Sequence, residues 1–255
     1  VITSSQNAKL KLVRALQGRP KERREAGAFL AEGVRLLEEA QAADWGFRFV
    51  LYDETLSERG RELLQSLQAQ GVDVEQVAAH LMKATSETET PQGILAALAL
   101  KPLPVPAKIT FALIPDEIRD PGNLGTLLRT ALAAGVEAVF IPPETADAFA
   151  PKVVRAGMGA HFRLPVLTLG WDEIRTRLSG LQVYLADAAG DQACWQAEFR
   201  YPLALIVGGE AEGASRSARQ LADGSIHIPM PGQAESLNAG VAGAILMFEV
   251  VRQRQ

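Results

Sequence analysis

Of 255 residues only one is a cysteine, Cys194. No intrachain disulfide can form, and a reducing compartment is the expected setting. Histidine is scarce too: His80, His161 and His227 lie far apart, and none has a second histidine or a cysteine at metal-ligand spacing. No structural metal is expected. No apolar run approaches the roughly 18–20 residues that cross a bilayer, and the opening stretch VITSSQNAKLK is polar where a secretion signal needs an apolar core. The expectation is a cytoplasmic protein that binds no membrane. Internal repeats and low-complexity segments are absent, as are the G-x-G-x-x-G dinucleotide fingerprint and a phosphate loop ending in Gly-Lys-Ser/Thr. A nicotinamide-dependent oxidoreductase is disfavoured on that ground.

What is present reads as an ordinary globular chain. Hydrophobic residues make up 47% and charged residues 22%, with no compositional sign of extended disorder. The length suffices for two modest α/β domains or one large one. The net charge of −4 is unevenly spread. Residues 1–24 carry Lys9, Lys11, Arg14, Arg19, Lys21, Arg23 and Arg24 against Glu22 alone, so this segment is +6 and the remainder −10. Clustered basic groups are the footprint of phosphate contacts, and Lys9, Lys11, Arg14, Arg23 and Arg24 are the candidates for them. A solvated helix face explains the same cluster equally well.

Along the chain, Ser4 or Ser5 is placed to cap a first helix running to about Leu16, with Leu10, Val13 and Leu16 or Leu12 on its buried side. AFLAEG, FRFVLYD, VDVEQVA and GILAALAL read as strands, VRLLEEAQAA and SERGRELLQSLQAQG as helices, the latter ended by Gly71. This is a small α/β unit over residues 1–101. Pro102, Pro104 and Pro106 then fall within five residues, and cannot continue a helix or a central strand. Residues 102–107 are therefore expected to be a linker, with a second domain over 108–255. That half opens with the βαβ pattern KITFALIP, LGTLLRTALAAG, VEAVFIP. It continues through the helix WDEIRTRLSG, the strand LQVYLADA and the near-continuous apolar strand LALIVGGE of the fully buried parallel kind. A helix from Leu237 closes the chain.

Ligands of open parallel sheets bind beyond the carboxyl ends of strands, and three unusual loops sit there. In DEIRDPGNLGTLLRT, Asn123 or Asp120 can cap a helix that carries Arg129 six residues after Asn123. In LIVGGEAEGAS, Gly208, Gly209 and Gly213 allow close backbone approach around Glu210. In IPMPGQAESLN, a turn leads from Ile228, Pro229 and Met230 to Ser236, Leu237 and Asn238. Each alone has a bland explanation: a capped helix with one surface arginine, a packing turn, Ser236 as an N-cap. Together, at three strand ends, they can line one pocket walled by backbone and apolar groups with few charges.

In order and spacing, DPGNLGTLLRTALAAG, LIVGGEAEG and IPMPGQAESLNAGVAGAILMFE resemble the three signature motifs of the SpoU/TrmH family, RNA ribose 2′-O-methyltransferases of the SPOUT superfamily. PKVVRAGMGAHFRLPV is similar to the segment between that family's first two motifs. The N-terminal ITSSQNAKLKLVRALQ, FLAEGVRLLEEA and TETPQGILAAL resemble the ribosomal-protein-like substrate-binding domain of many members. Two departures stand out. Gly209 replaces the usual asparagine or serine before the glutamate, which is expected to loosen the pocket wall, and Ala239-Gly240 replace a usual valine and serine.

The resemblance implies an α/β fold: a parallel-sheet SPOUT domain whose C-terminal segment threads a deep trefoil knot, plus the smaller N-terminal α/β domain. It implies S-adenosyl-L-methionine as cofactor, held near Leu185, Ala186, Gly208, Gly209, Gly213, Ile228, Pro229, Met230 and Leu237. It implies a homodimer and an RNA substrate, ribosomal by analogy of the N-terminal extension. The resemblance also makes Asn123, Arg129, Glu210, Ser236 and Asn238 the catalytic set, with Arg129 facing a cofactor bound on the other subunit. The alternatives are a transfer-RNA 2′-O-methyltransferase and a non-catalytic RNA-binding or ribosome-assembly factor on the same fold.

Overall fold

The computed structural model of the chain describes residues 1–255 apart from Glu89, Glu210, Ala211, Glu212 and Gln233. By contacts the chain divides into two units: Val1–Lys101 with Phe149–Phe162, and Pro102–Ala148 with Arg163–Gln255. The first unit runs α1 (Ala8–Gln17), α2 (Pro20–Ala26), β1 (Ala28–Glu32), α3 (Val34–Ala42), β2 (Phe47–Tyr52), α4 (Glu58–Ala69), β3 (Val74–Gln76), α5 (Ala79–Thr85) and β4 (Ile94–Ala99). Its strands form a mixed sheet in the order β1-β4-β2-β3. Leu10, Val13 and Leu16 of α1 are buried against Leu30, Phe49, Leu51 and Leu95 of that sheet. The helix starts later than the two serines suggest. Asn7 is its cap, accepting from the Lys9 N–H at 2.8 Å, because the chain before it is tied to the sheet by the Ile2 N–H to the Gln76 carbonyl. The short α2, PKERREA, has no apolar stripe to announce it, and its only buried residue is Arg23.

The second half runs β5 (Phe111–Asp116), α6 (Pro121–Ala133), β6 (Ala138–Ile141), α7 (Pro151–Gly157), β7 (Val166–Thr168), α8 (Trp171–Arg177), β8 (Gln182–Ala186), β9 (Gln192–Ala193), β10 (Leu203–Gly208), α9 (Arg216–Leu221), β11 (Gly224–His227) and α10 (Ala239–Arg254). Its seven strands are all parallel, in the order β7-β6-β5-β10-β8-β11-β9. The apolar runs FALIPD and LALIVG become the adjacent strands β5 and β10, buried along nearly their whole length. Such continuous burial is what a parallel sheet covered on both faces requires.

The division corrects the expected boundaries twice. Residues 102–107 are not a free linker, since they group with the second unit and Val105 packs against its core. Residues 149–162, placed by sequence inside the second domain, group with the first unit. Aromatic packing explains this. Phe149 meets Phe29 edge-on at 5.1 Å between ring centroids, and Phe162 lies 5.3 Å from Trp45. Both Phe29 and Trp45 are buried, so the segment completes a core that residues 1–101 leave open.

Helix α6 is started by Asp120, whose side chain accepts from the Asn123 N–H at 2.8 Å, with Pro121 in its first turn. Helix α10 lies on α6 and β10. A Cβ at Gly243 would run into the Leu127 side chain, and one at Gly240 would sit 3.2 Å from Thr126 Cγ2. Both glycines are buried, so they set how closely the two helices approach. Replacing Gly243 by valine overpacks this contact. The expected outcome is a loss of about 1–3 kcal/mol of stability, read as a lower denaturation midpoint in urea or heat, whereas Ala244→Val on the same helix stays closer to wild type.

Candidate active site

In the sheet β8 lies between β10 and β11, and all three run parallel. Their carboxyl ends therefore open on one edge, where a parallel sheet collects ligands. Ala186, Asp187 and Ala188 leave β8; Gly208, Gly209, Gly213 and Ala214 leave β10; Ile228, Met230, Ser236 and Leu237 leave β11. These residues surround a cavity of about 500 Å3, closed beneath by Ala239, Ala242 and Leu246 of α10. The size falls within the ~300–1,000 Å3 of small-molecule sites.

The glycine loop after β10 is folded back on itself. Gly209 and Gly213 pair as an antiparallel bridge. A Cβ at Gly208 would lie 2.8 Å from the Ala214 backbone nitrogen, and one at Gly209 would lie 2.5 Å from the Glu117 carbonyl oxygen. Gly209 thus does not loosen the wall, contrary to expectation: the carbonyl of Glu117 fills the place a side chain would take. Asp116, fully buried at the end of β5, holds the far side of this loop. Its Oδ2 accepts from the Ser215 N–H at 2.6 Å, and Ser215 caps α9. Burial pushes the Asp116 carboxyl above its ordinary range, and the bond from Ser215 works against that shift.

At the start of α10 the capping residue is Asn238, not Ser236. Its Oδ1 accepts from the Val241 N–H at 3.2 Å while its Nδ2 donates to Asn123 Oδ1 at 2.9 Å. One asparagine therefore ends the third loop, begins the last helix and locks it to α6. Arg129 lies on the exposed side of α6, makes no hydrogen bond or ion pair with any described residue, and does not line the cavity of its own chain. Among the described residues two charged groups line it, Asp187 and Arg219, joined by a 2.7 Å ion pair. The Ala189 N–H and then the Arg219 guanidinium hold the Asp187 carboxyl below its usual range.

The cavity brings together Ala186, Gly208, Gly209, Gly213, Ile228, Met230, Ser236, Leu237 and Asn238 of the residues expected from sequence. Asn123 joins them through Asn238. Leu185 and Pro229 do not line it; Leu185 points into the sheet core, with Ile114 and Ile206 in its cluster. Glu210 lies outside the described residues. Asp187 and Arg219 were missed, although LADA at a strand end was the available signal for the first; nothing in the sequence marked Arg219.

Among the basic candidates, two are corrected. Lys9 binds Asp73 and Glu75 at 2.7 and 2.9 Å and covers the Phe49 ring. Arg23 is buried, its Nη1 donating to the Leu16 and Gly18 carbonyls at the end of α1. Both are structural parts of the first unit. Lys11, Arg14 and Arg24 are exposed. Among the described residues no group of three His, Cys, Asp or Glu is placed to hold a metal, and no helix is long and apolar enough to cross a membrane.

Known proteins resemble this chain in sequence and fold. The profile of the SpoU rRNA Methylase family matches residues 110–248, and that of the MRM3-like substrate binding domain matches residues 7–96. The chain is 37% identical to the 23S rRNA (guanosine(2553)-2′-O)-methyltransferase RlmP of Bacillus subtilis, over 98% of each chain. It is 34% identical to the 23S rRNA (uridine(2479)-2′-O)-methyltransferase of Streptomyces viridochromogenes, over 98% of this chain and 92% of that one. The crystal structure of the SpoU methyltransferase AviRb from Streptomyces viridochromogenes, in complex with S-adenosylmethionine, superposes with a TM-score of 0.84 at 31% identity, covering 97% of this chain and 99% of that one.

Proposed function

This chain belongs to the SpoU rRNA Methylase family, and from that premise we propose that it methylates a ribose 2′-hydroxyl of ribosomal RNA with S-adenosylmethionine as donor. The second unit has the all-parallel sheet of the SPOUT fold, the fold that carries a trefoil knot. The observation that carries the proposal is the cavity at three adjacent strand ends, with the Asn123–Asn238 bond at its rim.

The residues present fit the cofactor. Glycine backbone at 208 and 209 leaves no room for side chains, and most of the described lining residues are apolar or glycine. Gly208, Ile228, Met230 and Leu237 would hold it. When bound, the cofactor would supply a methyl group on a sulfonium centre, which a ribose oxygen can attack with the neutral thioether as leaving group and the hydroxyl proton passing to a substrate oxygen, with no covalent enzyme intermediate. The chain's task is then to position the hydroxyl and exclude water. Asn238 and Asn123 fix the loop where the sugar must enter. A guanidinium keeps its proton, so Arg129 serves as a phosphate clamp and stabiliser of the developing oxyanion, and not as the base.

Labelled methyl transfer to total RNA lacking the modification tests the activity, and an RNA carrying 2′-deoxyribose at the mapped nucleotide is expected to accept no methyl group. Arg129→Lys keeps the charge and loses the planar fork. Its kcat is expected to fall at least tenfold with cofactor affinity unchanged by calorimetry; near-wild-type turnover would refute the clamp.

A homodimer completes the site in this proposal. Helix α10 is apolar on both sides: besides its buried face, Val241, Ile245 and Phe248 are 48%, 40% and 49% exposed at helical spacing. An apolar surface of this kind is covered in a stable assembly, and a second copy would bring its Arg129 to the cavity. Phe248→Glu is expected to shift the species seen in sedimentation from dimer to monomer and to abolish methyl transfer. A variant that remains dimeric would place the interface elsewhere.

The first unit is proposed to select the RNA, consistent with the substrate-binding profile over residues 7–96. The single, buried Cys194 supports the cytoplasm as the place of action. Replacing Lys11, Arg14 and Arg24 together by glutamine is expected to weaken RNA binding and to lower the slope of log affinity against log salt by about 2. Cofactor affinity should not move. Equal loss of both would end the division of labour between the units.

A further inference from the structure

We infer that Asp187 is the ligand for the ribose diol of the cofactor, with Arg219 as its positioning partner; this rests on the cofactor reading above. Among the described residues lining the cavity, these two alone carry charge. They come from the end of β8 and from α9, whereas the amide pair Asn123–Asn238 belongs to α6 and α10. The cavity therefore has two polar sites built on different elements. In the proposal above the ribose hydroxyl enters beside the amide pair, where a second copy brings its Arg129, which leaves the ionic site for a part of the cofactor that does not react.

Charge decides which part. Asp187 and Arg219 form a neutral pair. An ammonium approaching Asp187 would meet the Arg219 guanidinium, and a carboxylate approaching Arg219 would meet Asp187, so the amino-acid head of the cofactor gains little there. A neutral vicinal diol meets no such opposition. The Asp187 carboxylate is already oriented for it. Oδ1 accepts one N–H, from Ala189 at 3.0 Å, and Oδ2 accepts one, from Arg219 at 2.7 Å, which leaves each oxygen a second lone pair for a hydroxyl donor.

The turn beneath is rigid. The Asp187 N–H donates to the Ile226 carbonyl at 3.0 Å, the Gly190 N–H to the Asp187 carbonyl at 2.9 Å, and a Cβ at Gly190 would fall 2.6 Å from the Ile226 carbonyl carbon. Asp187 thus presents two fixed acceptors side by side at a strand end. Arg219 does not touch the ribose; it keeps the carboxylate ionised and aimed.

Calorimetric titration with three ligands tests this: S-adenosylhomocysteine, its 2′-deoxyadenosyl analogue, and 5′-methylthioadenosine, which keeps the ribose and lacks the amino-acid head. Wild-type protein is expected to bind the 2′-deoxy analogue about tenfold or more weakly than S-adenosylhomocysteine. Asp187→Asn is expected to weaken S-adenosylhomocysteine by a similar factor, to erase most of the discrimination against the 2′-deoxy analogue, and to weaken 5′-methylthioadenosine equally. Undiminished discrimination in Asp187→Asn, or a loss confined to ligands with the amino-acid head, overturns the assignment. The wild-type comparison needs no variant: equal affinity for the ribose and 2′-deoxyribose ligands also overturns it. Failure of all three ligands to bind wild-type protein would instead remove the cofactor reading on which the assignment stands.

Discussion

Helix α10 can close the cavity only because Gly240 and Gly243 let it lie directly on α6 and β10. That close approach brings Asn238 within hydrogen-bond reach of Asn123, 115 residues away in sequence. It also places Ala239, Ala242 and Leu246 under the loops that leave β8, β10 and β11. Small residues at a helix contact look like weak packing, but here they decide whether three loops converge at all. The same helix turns Val241, Ile245 and Phe248 outward, so it both closes the cavity and offers an apolar face.

The cavity is mostly backbone and hydrocarbon, and this suits a ligand whose reactivity is its own. A protein that must only position a methyl donor and a hydroxyl needs precise walls more than a set of titrating groups. The titratable groups here are tied down accordingly. Asp116 is buried beneath the glycine loop and bound to Ser215, and Asp187 is bound to Ala189 and Arg219. Both carboxylates anchor loops of the cavity wall.

Much of the strand and helix order was legible in the sequence because the apolar runs have clear periods. KITFALIP and LALIVGGE are unbroken, as a doubly covered parallel strand must be, and both became central strands. Two of the three loops were legible for the same reason, since each follows such a strand; the third follows the short, half-buried β11 and is marked by its own proline and glycine. Polar elements were not. Helix α2 buries only Arg23, so no apolar pattern predicts it, and the caps at Asn7 and Asn238 were misassigned to nearby serines because several residues in each stretch can accept the same N–H. Charge misled in a similar way. Lys9 and Arg23 belong to a basic run by composition, yet each finds its partners inside the first unit.

By itself the sequence determined the class of fold, the family signatures and two of the three loops that wall the cavity, those after β10 and β11, since hydrophobic period and local glycine and proline placement are properties of neighbouring residues. Tertiary structure alone decided that residues 149–162 complete the first unit's aromatic core, that Glu117 fills the space left by Gly209, and that Asp187 meets Arg219 at the cavity. Each of these joins residues far apart in the chain, and such contacts depend on where folding brings two backbones together, which no local pattern records.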